Sequence, residues 1–113
     1  MGDAVYEVYI RRAMLEKGTR NPKRLHRQSV VYVRAGAQAR AIEGIFEKLS
    51  EEEQKLVKRA RNHNPATKAK NADIMTYKWA TAFEALIGWL YLRGSTERME
   101  EMIFRAMEII EEA

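Results

Sequence analysis

Between Trp79 and Leu92 the chain carries one charged side chain, Glu84, inside an otherwise apolar run. A carboxylate so placed must meet a cation, bind a metal or face a solvent-filled cleft, because burying it unpaired is costly. Cysteine is absent, which excludes disulfides, thiol catalysis and cysteine–zinc sites. The only histidines are His26 and His63, too few for a histidine-rich metal centre. Any metal here would be hard and oxygen-ligated, Mg²⁺ or Mn²⁺. Spacing alone leaves two readings of Glu84 open. One is a core-helix glutamate meeting an arginine, which is the commoner case; the other is a metal carboxylate.

The element that must position Glu84 runs from Thr76 to Leu92. It is too long for a buried strand and lacks alternating polarity. Apolar residues on every face from Trp79 to Leu92 predict a helix surrounded by protein. The run is shorter than the roughly 20 apolar residues that cross a bilayer, and its flanks are polar. At about 100° per residue, Tyr77, Ala80, Thr81, Ile87, Gly88 and Tyr91 share a side with Glu84. A glycine in mid-helix costs about 1 kcal/mol relative to alanine, so Gly88 predicts a close approach by another element. Asp73 shares that face but lies about 16 Å away along the axis, so a cap or loop anchor suits it better than a shared metal.

Around this helix the rest of the chain reads as helices. The first is expected from Asp3 to about Lys17, with Val5, Val8, Tyr9 and Ala13 inward and Gly18 as its stop. Asp3 falls in its first turn, where the helix dipole favours a negative charge, and Glu7 is placed to reach Arg11. Asn21-Pro22 starts a second helix with Leu25, Ser29, Val30 and Val33 inward. A turn at 34–36 precedes a third, Ala37 to Leu49, built on Ala41, Ile42, Ile45, Phe46 and Leu49. Ser50-Glu51-Glu52-Glu53 is a capping box opening a fourth helix to about Arg61, with Leu56, Val57 and Ala60 inward. Residues 62–72 read as the one substantial loop, broken by Asn64-Pro65, and the long helix starts at Asn71 or Asp73. The last helix, Thr96 to about Glu112, has the stripe Met99, Met102, Ile103, Ala106, Met107 and Ile110, with an acidic solvated outer face. The expectation is one all-α domain spanning residues 1–113, without repeat or linker.

The net charge of +4 is unevenly spread. Val8 to Arg34 holds eight Lys/Arg against Glu16 alone, Gln54 to Ala72 holds six with no carboxylate, and the segment from Ser95 has six acids and two arginines. Segregation of this kind predicts a positive face that attracts a polyanion, with salt-dependent phosphate contacts. The chain opens with a glycine and an acid, so no signal peptide is read, and the lack of cysteine is compatible with a cytoplasmic location. His26, among arginines, could touch phosphate, although an exposed structural histidine is the commoner case.

Gly2-Asp3-Ala4-Val5-Tyr6-Glu7-Val8-Tyr9 and Thr81-Ala82-Phe83-Glu84-Ala85-Leu86 resemble the two acidic motifs of the ribonuclease III catalytic domain. With Leu25-His26-Arg27, Arg59-Ala60-Arg61-Asn62 and Lys70-Asn71-Ala72-Asp73, the chain is similar to the mini-ribonuclease III branch along nearly its whole length. The resemblance implies a compact helical endonuclease domain that acts as a homodimer and cuts double-stranded RNA with Mg²⁺, Mn²⁺ being a possible substitute. It implies no separate RNA-binding domain and, as family substrate, the stem of the large-subunit (23S) ribosomal RNA precursor. By position, Asp3 and Glu84 become the catalytic metal carboxylates. Thr81 stands where larger relatives carry another acid, which leaves more of the metal shell to water or to Glu84. Arg59, Arg61, Lys68 and Lys70, with His26 and Arg27, are the expected RNA contacts.

Two departures accompany the resemblance. The family carries a helical stretch ahead of Gly-Asp, whereas this chain begins at Met1-Gly2, so the expectation is a missing lead-in and an Asp3 on an end free to fray. Ala60 and His63-Asn64-Pro65 are expected in a loop where the family has more glycine, which bears on RNA preference. Two alternatives follow. One is a catalytically weak or inactive module that grips double-stranded RNA through the same basic faces; the other is a purely structural helical dimer.

Overall fold

The computed structural model describes residues 1–63 and 71–112. Among these the chain forms six α-helices and no strand: α1 (Gly2–Glu16), α2 (Pro22–Val33), α3 (Ala35–Ile45), α4 (Glu51–His63), α5 (Asn71–Leu92) and α6 (Thr96–Glu112). Helix α5 is the axis of the fold, with α1, α3, α4 and α6 all packed on it. Helix α2 leans on α1 and α3, and α6 also lies along α3. No helix among the described residues is long and apolar enough to cross a membrane.

Local chemistry explains the boundaries. Asn21 caps α2, accepting from the amides of Lys23 and Arg24 at 2.9 and 3.2 Å, and Pro22 follows in the first turn. The capping box at α4 forms in both directions: the Glu53 amide donates to Ser50 Oγ, and the Ser50 amide donates to Glu53 Oε1. Glu53 is also buried and bound twice by Arg98, at 2.9 and 2.7 Å, which ties the start of α4 to the start of α6. Gly18 and Gly94 have positive φ where α1 and α5 end.

Several expectations change. Helix α3 starts at Ala35, because Arg34 alone, in an extended conformation, makes the break. The Gln38 amide group donates to the Val33 carbonyl at 2.8 Å and closes that corner. At its other end a 3₁₀ turn, Phe46–Lys48, replaces the last α-turn. Helix α4 continues to His63, so Ala60 and His63 are helical and do not belong to a loop. Residues 64–70, including Asn64-Pro65, lie outside the described residues. The inward stripe of α1 is Gly2, Tyr6, Ile10 and Met14. Val5, Tyr9 and Ala13 are only partly buried, and Val8 is 56% exposed. Helix α1 has apolar residues on adjacent faces, and tertiary partners choose between them. Tyr6 packs edge-on against Phe83, with ring centroids 4.9 Å apart, and its hydroxyl donates to the Tyr32 carbonyl. The stripe of α6 is buried as expected.

Candidate active site

Helix α5 is not enclosed on every side. Ala82, Phe83, Leu86 and Ile87 are fully buried, whereas Tyr77 and Tyr91, on the side shared with Glu84, are half exposed and Leu92 is more so. Glu84 therefore sits half-buried on a face open at both ends and covered in the middle by the first turn of α1. The cover is close. A Cβ placed on Gly88 would lie 3.2 Å from the Gly2 amide nitrogen, and one placed on Gly2 would lie 1.8 Å from the Glu84 carbonyl oxygen. This is the approach that a mid-helix glycine predicts.

Asp3 is the next residue of α1 after Gly2, which lies against the Glu84 backbone at this crossing. Burial pushes the Glu84 carboxyl up from its ordinary value, and the negative charge of Asp3 pushes it further, with the Met1 amino group opposing. The Asp3 carboxylate is exposed and held below its usual range, first by the Ala4 amide at 2.9 Å and then by the Met1 amino group at 3.4 Å. Among the described residues the Glu84 carboxylate makes no hydrogen bond or ion pair. The core glutamate paired with an arginine is thus not what forms. Two neighbouring carboxylates, one short of counter-charge and both with hard oxygens, suit a divalent cation that takes the rest of its ligands from water and phosphate. No cluster of three metal-ligating side chains occurs among the described residues, so such an ion would rest on this pair. Asp73 lies exposed in the first turn of α5, away from the pair. Gly2 is buried in the first turn of α1.

The expected RNA contacts separate into groups. Arg59 and His63 are exposed and border a shallow groove with Leu56 and Ala60 on α4, a helix that packs on α5. Arg61 is already engaged: its guanidinium lies 4.9 Å from the centre of the Trp79 ring, and its Nε donates to Asn62 Oδ1. His26 and Arg27 are exposed on α2, which packs on α1 and α3, and His26 Nδ1 lies 3.4 Å from Arg11. Arg11 is bound by Glu7, as the spacing predicts. Lys68 and Lys70 lie outside the described residues. Sequence reasoning overlooked Gly2, although the preceding-residue position beside an acid and opposite Gly88 was available as a signal. It also missed Trp79 as the platform for Arg61.

Comparison with known proteins identifies the family and the fold. The sequence profile of the ribonuclease III domain matches residues 1–95. The chain belongs to the ribonuclease III family. A protein named mini-ribonuclease 3 from Streptococcus pneumoniae is 45% identical over 97% of this chain and 88% of its own. One from Brevibacillus brevis is 46% identical over 98% and 83%. A crystal structure of a Fusobacterium nucleatum protein superposes with a TM-score of 0.83 at 34% identity, covering 95% of this chain and 85% of that one. Within the ribonuclease III family the chain is an endoribonuclease of the mini-ribonuclease III type.

Proposed function

We propose that Asp3 and Glu84 are the metal-binding catalytic carboxylates of this double-stranded-RNA endoribonuclease, with Mg²⁺ as the working ion and Mn²⁺ as a substitute. The observation that supports the reading is the close crossing of α1 and α5, where Gly2, the neighbour of Asp3, lies against the Glu84 backbone and the Glu84 carboxylate makes no ion pair among the described residues. A divalent ion held there would supply charge neutralisation at the scissile phosphate and a more acidic water. The chain's own part is to hold the two carboxylates at a fixed separation on an open face. Asp3 is anchored by the Ala4 amide, and Glu84 by the rigid middle of α5. Thr81, one turn before Glu84 and partly buried, offers a hydroxyl to water on the same side.

Arg59 and His63, exposed on α4, would hold the RNA backbone, with Lys68 and Lys70 following in sequence. Arg61, stacked on Trp79, would present its remaining guanidinium donors without losing side-chain entropy. A-form RNA offers phosphates and 2′-hydroxyls across a shallow minor groove, so recognition would be mainly by shape. His26 and Arg27, on another helix, would meet a different part of the duplex. A homodimer would place two such sites for the two strands. The stem of the large-subunit (23S) ribosomal RNA precursor is the substrate we favour, in the cytoplasm, with residues 1–113 acting as one catalytic domain.

The test is cleavage of a perfect RNA duplex, with and without Mg²⁺, by Asp3→Asn and Glu84→Gln. Both variants should bind the duplex and fail to cut it. Cleavage surviving in either rejects the assignment, and a wild-type protein that binds RNA without Mg²⁺-dependent turnover would be the inactive binding module instead.

A further inference from the structure

We infer that Gly2 and Gly88 form a positioning pair: two backbones without Cβ atoms interlock so that Asp3 is held against Glu84. The inference rests on the assignment of those acids as the metal pair and adds what sets their separation.

Glycine is needed here for space, not for backbone freedom. The positive-φ glycines are Gly18 and Gly94, and neither Gly2 nor Gly88 is among them. Among the described residues, only these two of the six glycines face the backbone of another helix. A Cβ on Gly36 would meet nothing within 4 Å, and one on Gly44 would meet only the Ile109 side chain, which can turn aside. A Cβ on Gly2 would stand 1.8 Å from the Glu84 carbonyl oxygen, 2.8 Å from its carbon and 2.9 Å from the Gly88 nitrogen. Those atoms belong to the hydrogen-bonded interior of α5 and cannot rotate away. The first turn of α1 would have to withdraw until the contact reaches the 3.0 Å that real Cβ atoms respect, a movement of roughly 1 Å or more. Asp3 is the next residue and would move with it.

The chemistry gives that movement weight. Aspartate has a single methylene, so its carboxylate reaches little beyond its own backbone. An ion shared with Glu84 therefore requires α1 to touch α5. A misplacement of about 1 Å in a reacting constellation costs on the order of 100-fold in rate. The contact at Gly88 is looser: its Cβ would lie 3.2 Å from the Gly2 nitrogen and 3.5 Å from the Gly2 Cα, so a shift of a few tenths of an ångström would relieve it. The two substitutions should thus be graded.

The experiment compares Gly2→Ala, Gly88→Ala and Ile10→Ala with the wild-type chain, measuring Mn²⁺ affinity by electron paramagnetic resonance with the metal alone, duplex cleavage and Tm. Ile10 is fully buried in α1 away from the crossing and reports on simple loosening of that helix. Gly2→Ala should weaken Mn²⁺ binding by about tenfold or more and lower kcat about 100-fold. Gly88→Ala should weaken Mn²⁺ binding by about two- to fivefold, on the smaller shift. Ile10→Ala should lower Tm at least as much as either and keep the wild-type Mn²⁺ affinity. Wild-type Mn²⁺ affinity in Gly2→Ala, or an equal loss in Ile10→Ala, overturns the inference. Should Gly2→Ala fail to fold, Gly88→Ala decides on the same measure. If Asp3→Asn and Glu84→Gln both still cut RNA, the metal assignment fails instead; if they are inactive while both glycine variants bind Mn²⁺ normally, only the positioning role fails.

Discussion

Glu84→Gln should make the metal-free protein more stable at neutral pH while removing its activity. In the fold, Glu84 is half-buried, without an ion pair among the described residues and under the charge of Asp3, so its carboxyl is raised above its ordinary value by burial first and by Asp3 second, with the Met1 amino group opposing. A carboxyl raised in the folded state favours folding while it is protonated. That contribution is complete below the unfolded value of 4.5 and is lost as pH rises through the folded value. Where Glu84 is ionised the wild-type chain carries the cost of that charge, which the neutral glutamine variant lacks. An unsatisfied buried group costs about 1–3 kcal/mol, and halving this for partial solvation leaves a gain of about 1 kcal/mol. In a domain of this size that is an increase in Tm of roughly 4 °C. The assay is thermal unfolding in a chelating buffer at pH 4 and at pH 7. The gain should be near zero at the acid end and full at the neutral end. A divalent ion at ten times its Kd should then stabilise the wild-type protein by about 1.4 kcal/mol and leave Glu84→Gln unmoved. A variant less stable than wild type at pH 7, or a gain equal at both pH values, would refute the account of Glu84 as an uncompensated carboxylate.

Two further outcomes test other parts of the molecule. Arg98→Ala should destabilise the fold by about 2 kcal/mol, because it strips the buried Glu53 of two charged hydrogen bonds, the estimate being lowered for the partial exposure of Arg98. Arg98 holds the Glu53 carboxyl below its ordinary value, so the pair's contribution is present above pH 4.5 and fades as pH falls below it. The Tm difference between the two proteins should shrink in acid, as followed by circular dichroism. Arg59→Ala should weaken duplex binding and reduce the salt dependence of log K by about one phosphate contact, in a titration across salt concentrations. An unchanged slope would remove Arg59 from the RNA face.

Much of the fold was legible because its signals are local. The stripe of α6, the Asn21 cap, the reciprocal Ser50–Glu53 box and the Glu7–Arg11 pair depend on residues three or four apart, where helical geometry decides who meets whom. Gly88 announced a close neighbour through its cost in a helix, and the lone charge of Glu84 marked where chemistry could occur. The family motifs pointed to Asp3, which no spacing argument joins to Glu84.

Tertiary structure decided the rest. Helix α1 offers apolar side chains on adjacent faces, and only the partners Phe83 and Tyr32 select Tyr6, leaving Val8 in solvent. Arg61 was a free cation until Trp79 came under it. The identity of Gly88's neighbour, Gly2, needed two helices distant in the chain to be laid across each other. Periodicity ranks the faces of one helix; it carries no information about which backbone will rest on which, because that is settled by how all the faces fit at once.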